Sequence, residues 1–369
     1  MTRIVVTGAD GFVAQNLIVR ADENPAWNIV PITRASTGAA LAEAVAGADV
    51  IFHLAGVNRP GNEAEFTLGN LDFTRQVIAS IEAAGRAVPI VFSSSIQAEQ
   101  GNPYGRSKKA AEDALLAFAE RSGNPVHLFR LPNVFGKWAR PNYNSAVATF
   151  CHNIARGLAV AVHDAAAPVR LVYVDDVVDA MLELAGGGSG QGPFHMVAPE
   201  YRVTVGELKD RIEALRDARA ALATERVGAG FERALNATFL SYLPVEDFAY
   251  PLPVHDDPRG RFAEMLKTRD SGQFSFFTAH PGITRGGHYH HSKTEKFLVV
   301  RGQARFKFRH LVTGQHHALD TSGDQPQVVE TIPGWTHDIT NIGAEEMIVM
   351  LWANEVFDRE RPDTYAAAV

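Results

Sequence analysis

Past residue 260 this chain loses its helices. Up to about residue 240, short apolar strand-like runs alternate with stretches of helical period, but from Arg261 onward only the period of two remains. Ala304, Phe306 and Phe308 alternate there with Arg305, Lys307 and Arg309, which gives one buried and one wet face. Met347 to Trp352 is apolar throughout and predicts a strand buried on both sides. Turn residues at Gly272, Gly302, Gly314, Gly323 and Gly343 keep these strands short, as in a sandwich or barrel of jelly-roll type. The earlier alternation of strands and helices predicts a doubly wound α/β layer. The two patterns do not share one core, and 369 residues suffice for two. The expected division is a first domain over 1–248, a connector over 249–260 broken by Pro251, Pro253 and Pro258, and an all-β domain over 261–369.

The first domain opens on the strand Ile4–Val6, which runs into Thr7, Gly8 and Gly11 and then a helical stretch to Arg20. Strand, glycine-rich turn and helix begin a dinucleotide-binding βαβ unit. Gly8 and Gly11 let the backbone approach a pyrophosphate, which sits on the unpaired N–H groups of a helix N-terminus at Phe12 and Val13. The second strand ends at Thr33 and Arg34. An acidic residue there would hold the ribose 2′-hydroxyl of NAD, whereas an arginine suits the 2′-phosphate of NADP. A helix over Ala39–Ala46 leads to the buried strand Asp49–His53, and Leu54 and Ala55 follow it beside the expected NADPH. Asn70 opens a helix through Ser80, and Ser93–Ser95 lie at the carboxyl end of the next strand, where ligands bind in such sheets.

Tyr104 and Lys108 share one face of a helix that runs to about Arg121, with Gly123 as its C-cap. An ammonium beside the phenol lowers its pKa, which suits Tyr104 to protonate a developing alkoxide while Lys108 also reaches ribose hydroxyls. Asp175 and Asp176 read as carboxylates at a helix start. Thr204 and Glu207 have the form of a capping box, and a looser segment from Gly228 to Val245 closes the domain.

Chemistry in the second part centres on His288 and His290, which alternate and so point to one face of a strand. Glu295 follows the polar His291–Thr294, as on the returning strand of a hairpin, and His337 comes later. Three imidazoles and a carboxylate are a donor set for a borderline divalent metal such as zinc; manganese, iron and nickel accept the same donors. His310, His316 and His317 read as solvated.

These residues carry resemblances to known families. Gly282-x5-His288-x-His290-x4-Glu295-x6-Gly302, with Pro333-Gly334-x2-His337-x3-Asn341, resembles the two motifs of the cupin family, which implies a metal at the barrel mouth. Arg285-Gly-Gly-His288 is also similar to the Arg-Gly-x-His run of metal-free deoxysugar 3,5-epimerases, so His288 is a ligand on one reading and a base on the other. The first 240 residues resemble the extended short-chain dehydrogenase/reductases (SDRs), a Rossmann-type group that works on nucleotide sugars. They do so through Gly8, Gly11, Ala14, the serines at 93–95, Tyr104, Lys108 and the runs 128–136 and 171–176. That implies Ser95, or else Ser94, as a catalytic hydroxyl, with Asn133 and the segment around Arg170 facing the sugar nucleotide. Only nine positions separate Ser95 from Tyr104, fewer than in most of that group.

An SDR ahead of a metal cupin resembles the bifunctional capsular-polysaccharide reductase/epimerases. The resemblance implies a UDP-linked 4-keto-6-deoxy N-acetylhexosamine (UDP-2-acetamido-2,6-dideoxy-hexos-4-ulose) as substrate. It further implies C3 epimerisation in the cupin, with Arg285 beside the sugar, then NADPH-dependent C4 reduction to UDP-2-acetamido-2,6-dideoxy-L-talose, on the way to UDP-N-acetyl-L-fucosamine. Cupin habits imply a homodimer. The other readings are a cupin of different activity, such as a metal dioxygenase, or a structural or sensing module.

A net charge of -7 with no basic tail argues against a nucleic-acid partner. No apolar run approaches the ~18 residues of a membrane span. Cys151 is the only cysteine, so no intrachain disulfide forms, and a cytoplasmic location is expected.

Overall fold

The structure, a computed structural model, describes residues 1–187, 192–257, 260–263, 265–268, 272–355 and 357–369. Pro258 and Arg259 of the expected connector lie outside them. By compactness the chain divides into Met1–Ser145 with Val169–Arg202, and Ala146–Pro168 with Val203–Val369.

In the first unit the strand–helix alternation becomes β1 (Thr2–Thr7), α1 (Phe12–Asp22), β2 (Trp27–Ile32), α2 (Gly38–Ala46), β3 (Val50–His53), α3 (Phe73–Ala84), β4 (Ile90–Ser95), α4 (Pro103–Ser122), β5 (Val126–Leu131), α5 (Val174–Ala185) and β6 (Phe194–His195). The strands form one parallel sheet in the order β2-β1-β3-β4-β5-β6. Local signals set the helix ends. Thr37 accepts a hydrogen bond from the Ala40 N–H to start α2, Asn102 does the same for Gly105 in α4, and Gly85 and Gly123 take left-handed conformations past α3 and α4. On one face of the sheet Val5, Ile51, Phe92 and Leu128 pack with Leu41, Val45, Val77, Ile81, Leu115 and Phe118. Each such side chain contributes about 1.5–3 kcal/mol on burial. α1 and α5 cover the other face, joined by an Arg20–Asp179 ion pair. Asp175 and Asp176 lie in the first turn of α5, as expected.

One helix differs from the reading of its sequence. Asn70 does not open a helix; it sits in a wide π turn over Thr67–Asp72, and α3 begins at Phe73. Such turns insert an extra residue and are frequent at functional sites.

The second unit contains a helix over Ala146–Ala155, α6 (Val205–Ala220) and α7 (Gly230–Leu240). The Thr204–Glu207 capping box starts α6 as its sequence predicts. The segment from Gly228 to Val245 is not loose, because α7 buries Ala234, Leu235, Ala237 and Phe239. Both helices lie N-terminal to residue 248 yet belong to this unit.

Ten of the strands that follow among the described residues build the sandwich: β7 (Ala249–Pro251), β8 (Gln273–Ala279), β9 (Thr284–Tyr289), β10 (Glu295–Arg301), β11 (Gln303–His310), β12 (His316–Ser322), β13 (Gln327–Glu330), β14 (Trp335–Asn341), β15 (Met347–Ala353) and β16 (Tyr365–Ala366). They form two five-stranded antiparallel sheets, β7-β13-β10-β15-β8 and β12-β11-β14-β9-β16. This is the jelly-roll arrangement that the period of two predicts, with β7 built from residues of the expected connector. Phe297 of one sheet meets Phe306 of the other at 5.7 Å between ring centres. β15 is not buried on both sides: Met350 is 38% exposed, because the strand turns only one face to the sandwich interior. Of the three histidines read as solvated, only His316 is exposed. His310 packs on Trp335, and His317 packs on Phe308.

Glu330 is fully buried between Arg219 of α6, at 2.5 Å, and Lys296, whose ammonium also reaches the Tyr250 hydroxyl at 3.1 Å. Burial opposes the charge on Glu330 and Lys296, but their mutual attraction outweighs it, holding the carboxyl below and the ammonium above their ordinary values. Glu330→Gln leaves two buried cations facing a neutral group. It is expected to cost about 3–5 kcal/mol in urea denaturation, against less than ~1 kcal/mol for an exposed pair such as Arg301–Glu345.

Candidate active sites

β1 has β2 on one side and β3 on the other, so the chain reverses its winding direction between β1 and β3. In open parallel sheets the crevice beyond the carboxyl ends at such a point takes the ligand. Gly8 stands there at φ 69°, and a Cβ on it would lie 2.6 Å from the Ala55 Cα, so only glycine fits. Gly11 is the N-cap of α1 and brings no side-chain acceptor, which leaves the first N–H groups, those of Phe12 and Val13 among them, for an anion. Leu54 and Ala55 directly follow β3 and are half-buried. Arg34 is exposed in the turn after β2 and makes no ion pair among the described residues. This donor set fits a dinucleotide.

A buried polar chain braces that edge. His53 is fully buried, and burial, aided by the Lys108 charge, pushes its pKa down to about 3, so it is neutral. Thr74 donates its hydroxyl hydrogen to the Asn70 carbonyl at 2.6 Å, so it accepts from His53 Nε2–H at 2.9 Å. His53 Nδ1 must then accept from the Thr7 hydroxyl at 2.7 Å. The Asn70 amide accepts from the Val57 N–H and donates to the Val57 carbonyl and to Ser107, whose hydroxyl donates to the Tyr104 carbonyl. The π turn places this amide. No local pattern in the sequence marks Asn70, His53 or Thr74, since their partners are distant in the chain.

The three candidate reductase residues come together. β4 ends at Ser95, a single turn spans Ile96–Glu99, and α4 starts at Pro103, which accounts for the short step to Tyr104. Gly105 permits it: a Cβ there would lie 2.0 Å from the Gln97 carbonyl oxygen. The Ser95 side chain lies beside the Tyr104 hydroxyl and favours its ionised form. Ser94 is tied elsewhere, donating to the buried Glu112 at 2.5 Å, which also takes Arg130. Lys108 is buried, donates to the Ser93 carbonyl at 2.7 Å and lies over the Phe92 ring. Burial lowers its pKa to about 8, with Glu112 pulling the other way. The expected depression of the Tyr104 pKa is not found. Burial raises it, the nearby Ser95 side chain only partly offsets this, and the ammonium is held by Ser93. Tyr104 is therefore a protonated phenol at neutral pH.

In the second unit, one donor atom from each of His288, His290, Glu295 and His337 lies within 4.8 Å of the others. Gly286 and Gly287, both at positive φ, form a bulge that sets His288 directly across from His337 on β14. The hairpin expected for His288 to Glu295 is not formed: β9 and β10 lie in different sheets, and residues 290–294 cross between them. Strand alternation specifies a face but not a neighbour. His290 Nε2 is 3.0 Å from Glu295 Oε2, His337 Nε2 is 3.6 Å from the same oxygen, and Lys293 Nζ is 3.0 Å from Oε1. Burial would raise the Glu295 pKa, but His290 and its neighbours hold it well below the carboxylate range. Burial and the other imidazoles lower the His288 pKa to about 3, and burial lowers that of His337. Neutral imidazoles and an ionised carboxylate are the forms that ligate metal. Both His337 ring nitrogens are buried without a hydrogen-bond partner, and a coordinated cation would supply one to the nitrogen it binds. The cluster fits a divalent ion.

The substrate candidates bond to residues outside these clusters. Asn133 is exposed and donates to the Arg170 carbonyl at 3.1 Å, while the Arg170 guanidinium is held by Glu200 through two bonds. Arg285 is exposed on β9, donating to the Thr278 carbonyl and stacked on Phe277. Tyr289 is buried against Tyr365, away from the donors.

A parallel sheet of this order, with Ser95, Tyr104 and Lys108 at its carboxyl edge, is the architecture of the short-chain dehydrogenase/reductase class. The chain belongs to the NAD dependent epimerase/dehydratase family, whose model matches residues 4–193, and the polysaccharide biosynthesis C-terminal domain matches residues 255–365. It is 54% identical over 367 residues, 100% of this chain and 99% of the relative, to a UDP-2-acetamido-2,6-beta-L-arabino-hexul-4-ose reductase of Pseudomonas aeruginosa. Among solved structures it is similar to the capsular polysaccharide assembling protein CapF of Staphylococcus aureus, at 42% identity and a TM-score of 0.69, over 99% of this chain and 100% of that one. A UDP-glucose 4-epimerase of Thermotoga maritima shares the fold of the reductase part, with 21% identity and a TM-score of 0.53 over 58% of this chain and 83% of its own.

Proposed function

We propose that the chain is a bifunctional enzyme of capsular-polysaccharide precursor synthesis. It takes a UDP-2-acetamido-2,6-dideoxy-hexos-4-ulose, inverts C3 at the His288–His290–Glu295–His337 cluster, and reduces C4 at Tyr104 to give UDP-2-acetamido-2,6-dideoxy-L-talose. The observation that carries this reading is the placement of Ser95 at the end of β4 beside Tyr104 and the buried Lys108 of α4, in a chain that also holds a four-donor cluster. The reductase step is supported by likeness to the Pseudomonas UDP-sugar reductase, and the capsular setting by likeness to the Staphylococcus protein.

NADPH, held by Gly8, Gly11, Phe12, Val13, Leu54 and Ala55 with Arg34 toward the 2′-phosphate, supplies hydride, and a divalent ion, zinc by preference, draws charge from a carbonyl oxygen. Ser95 holds the sugar's C4 oxygen in place. Tyr104 carries the proton that this oxygen takes up as it becomes an alcohol. The Lys108 ammonium, held on the Ser93 carbonyl, is assigned to the ribose hydroxyls of the nucleotide. Asn133 and Arg285 are assigned to the sugar nucleotide. Order follows from the substrate: the C4 ketone makes the C3 proton labile, so inversion precedes reduction.

The Lys108 pKa gives a pH profile. Its ammonium is lost as pH rises through about 8, so kcat/KM for the nucleotide is expected to fall above that pH. In Lys108→Arg, whose guanidinium stays charged, the alkaline limb is expected to vanish at a lower overall rate. Product analysis by NMR tests the whole reading. Incubation with the keto sugar and NADPH is expected to give a sugar inverted at C3 and reduced at C4; a product reduced at C4 with C3 unchanged contradicts it.

A further inference from the structure

Asp363 makes more contacts to the metal-cluster turn than any role so far assigned requires. Its Oδ1 accepts the His291 N–H at 2.9 Å, and its Oδ2 accepts the N–H groups of Ser292 and Lys293 at 3.0 and 2.7 Å and the Ser292 hydroxyl at 3.1 Å. Both carboxylate oxygens are thereby turned to the turn backbone and away from the four donors. Its backbone carbonyl lies 2.6 Å from His290 Nδ1. A carbonyl only accepts, so Nδ1 carries the hydrogen, and Nε2 is the nitrogen presented to Glu295. Asp363 adopts φ 34°, a conformation that aspartate and asparagine tolerate better than most side chains. Arg233 of α7 braces the arrangement: it donates to the Ser292 hydroxyl at 2.9 and 2.6 Å, and pairs with Asp363 at 3.2 Å and Glu355 at 2.9 Å.

We infer that Asp363, braced by Arg233, is a positioning residue that fixes His290 as an Nε2 donor and holds the turn between His290 and Glu295 in the shape that closes the cluster. The inference rests on the metal reading above. Arg233 lies outside the residues matched by the C-terminal domain family, so a helix upstream of that domain completes its metal site.

The test uses the full chain, stripped of metal by a chelator and titrated with Co2+ while its d–d absorption is followed. Wild type is expected to bind one ion. Asp363→Ala and Arg233→Met are expected to bind it roughly 10–100-fold more weakly, the usual effect of losing a ligand's support. In the Zn2+-loaded wild type, 15N NMR of histidine is expected to show His290 carrying hydrogen at Nδ1 with Nε2 on the metal, and Asp363→Ala to show both tautomers. If wild type takes up no Co2+, the metal reading fails. If wild type binds and Asp363→Ala binds equally well with an unchanged His290 tautomer, the positioning role is overturned. Should Asp363→Ala not fold, the near-isosteric Asp363→Asn, which keeps the side-chain shape but loses the charge that three N–H groups share, decides by the same two readouts.

Discussion

Tyr104→Phe is expected to lower NADPH oxidation by the keto sugar about 10²–10⁴-fold, the range for losing a positioned proton donor. The substitution removes one oxygen and leaves the ring, which packs on Phe66 at 5.8 Å and holds the start of α4. Ser95 keeps its bond from the Gln97 N–H, and Lys108 keeps its bond to Ser93. Affinity for NADPH is therefore expected to change little, so the loss falls on kcat. Because the hydroxyl takes no part in events at C3, proton exchange at that carbon is expected to continue. Stopped-flow absorbance of NADPH and a fluorescence titration of the nucleotide separate the two effects. A variant that retains half the wild-type kcat would remove Tyr104 from the reaction.

The second large effect is expected from the cluster. Glu295 is its one carboxylate, and His290 is the imidazole closest to that carboxylate. Glu295→Gln and His290→Ala each remove a donor, so the loss of Co2+ affinity is expected to exceed the ~100-fold upper range for losing a ligand's support. C3 exchange is expected to fall to background in both, while NADPH binding in the other unit stays at the wild-type level. Glu295→Gln is the cleaner of the two, since it keeps the side chain's volume beside Lys293. Retained exchange in both variants would make His288 a metal-independent base, the other meaning of the Arg285–His288 run.

These effects were legible in the sequence to different depths. Ala304 to Arg309 and Ile4 to Gly11 state their structures locally, by alternation and by a glycine turn, and the β-sandwich and the parallel sheet follow. The donor set was legible because His288, His290 and Glu295 fall within eight consecutive residues. Which sheet each strand joins was not: β9 and β10 pair with β14 and β13, more than thirty residues on, and no local pattern encodes that choice. Tyr104 and Lys108 were legible as a pair on one helix turn. The direction of the Tyr104 pKa was not, because burial depends on what the rest of the chain packs around the phenol. Asn70, Glu112, Arg233 and Asp363 act through partners far away in sequence, so their roles emerge only in three dimensions.

On the proposed function, one carbonyl on the sugar serves two sites in turn. Incubating the protein with a UDP-linked 4-keto-6-deoxy N-acetylhexosamine in heavy water, without NADPH, isolates the first step. Deuterium is expected at C3, in the Tyr104→Phe variant as in wild type, and absent from the chelator-stripped protein. A metal-replete wild type that leaves C3 fully protonated, yet oxidises NADPH when the nucleotide is added, would be a reductase without the C3 step.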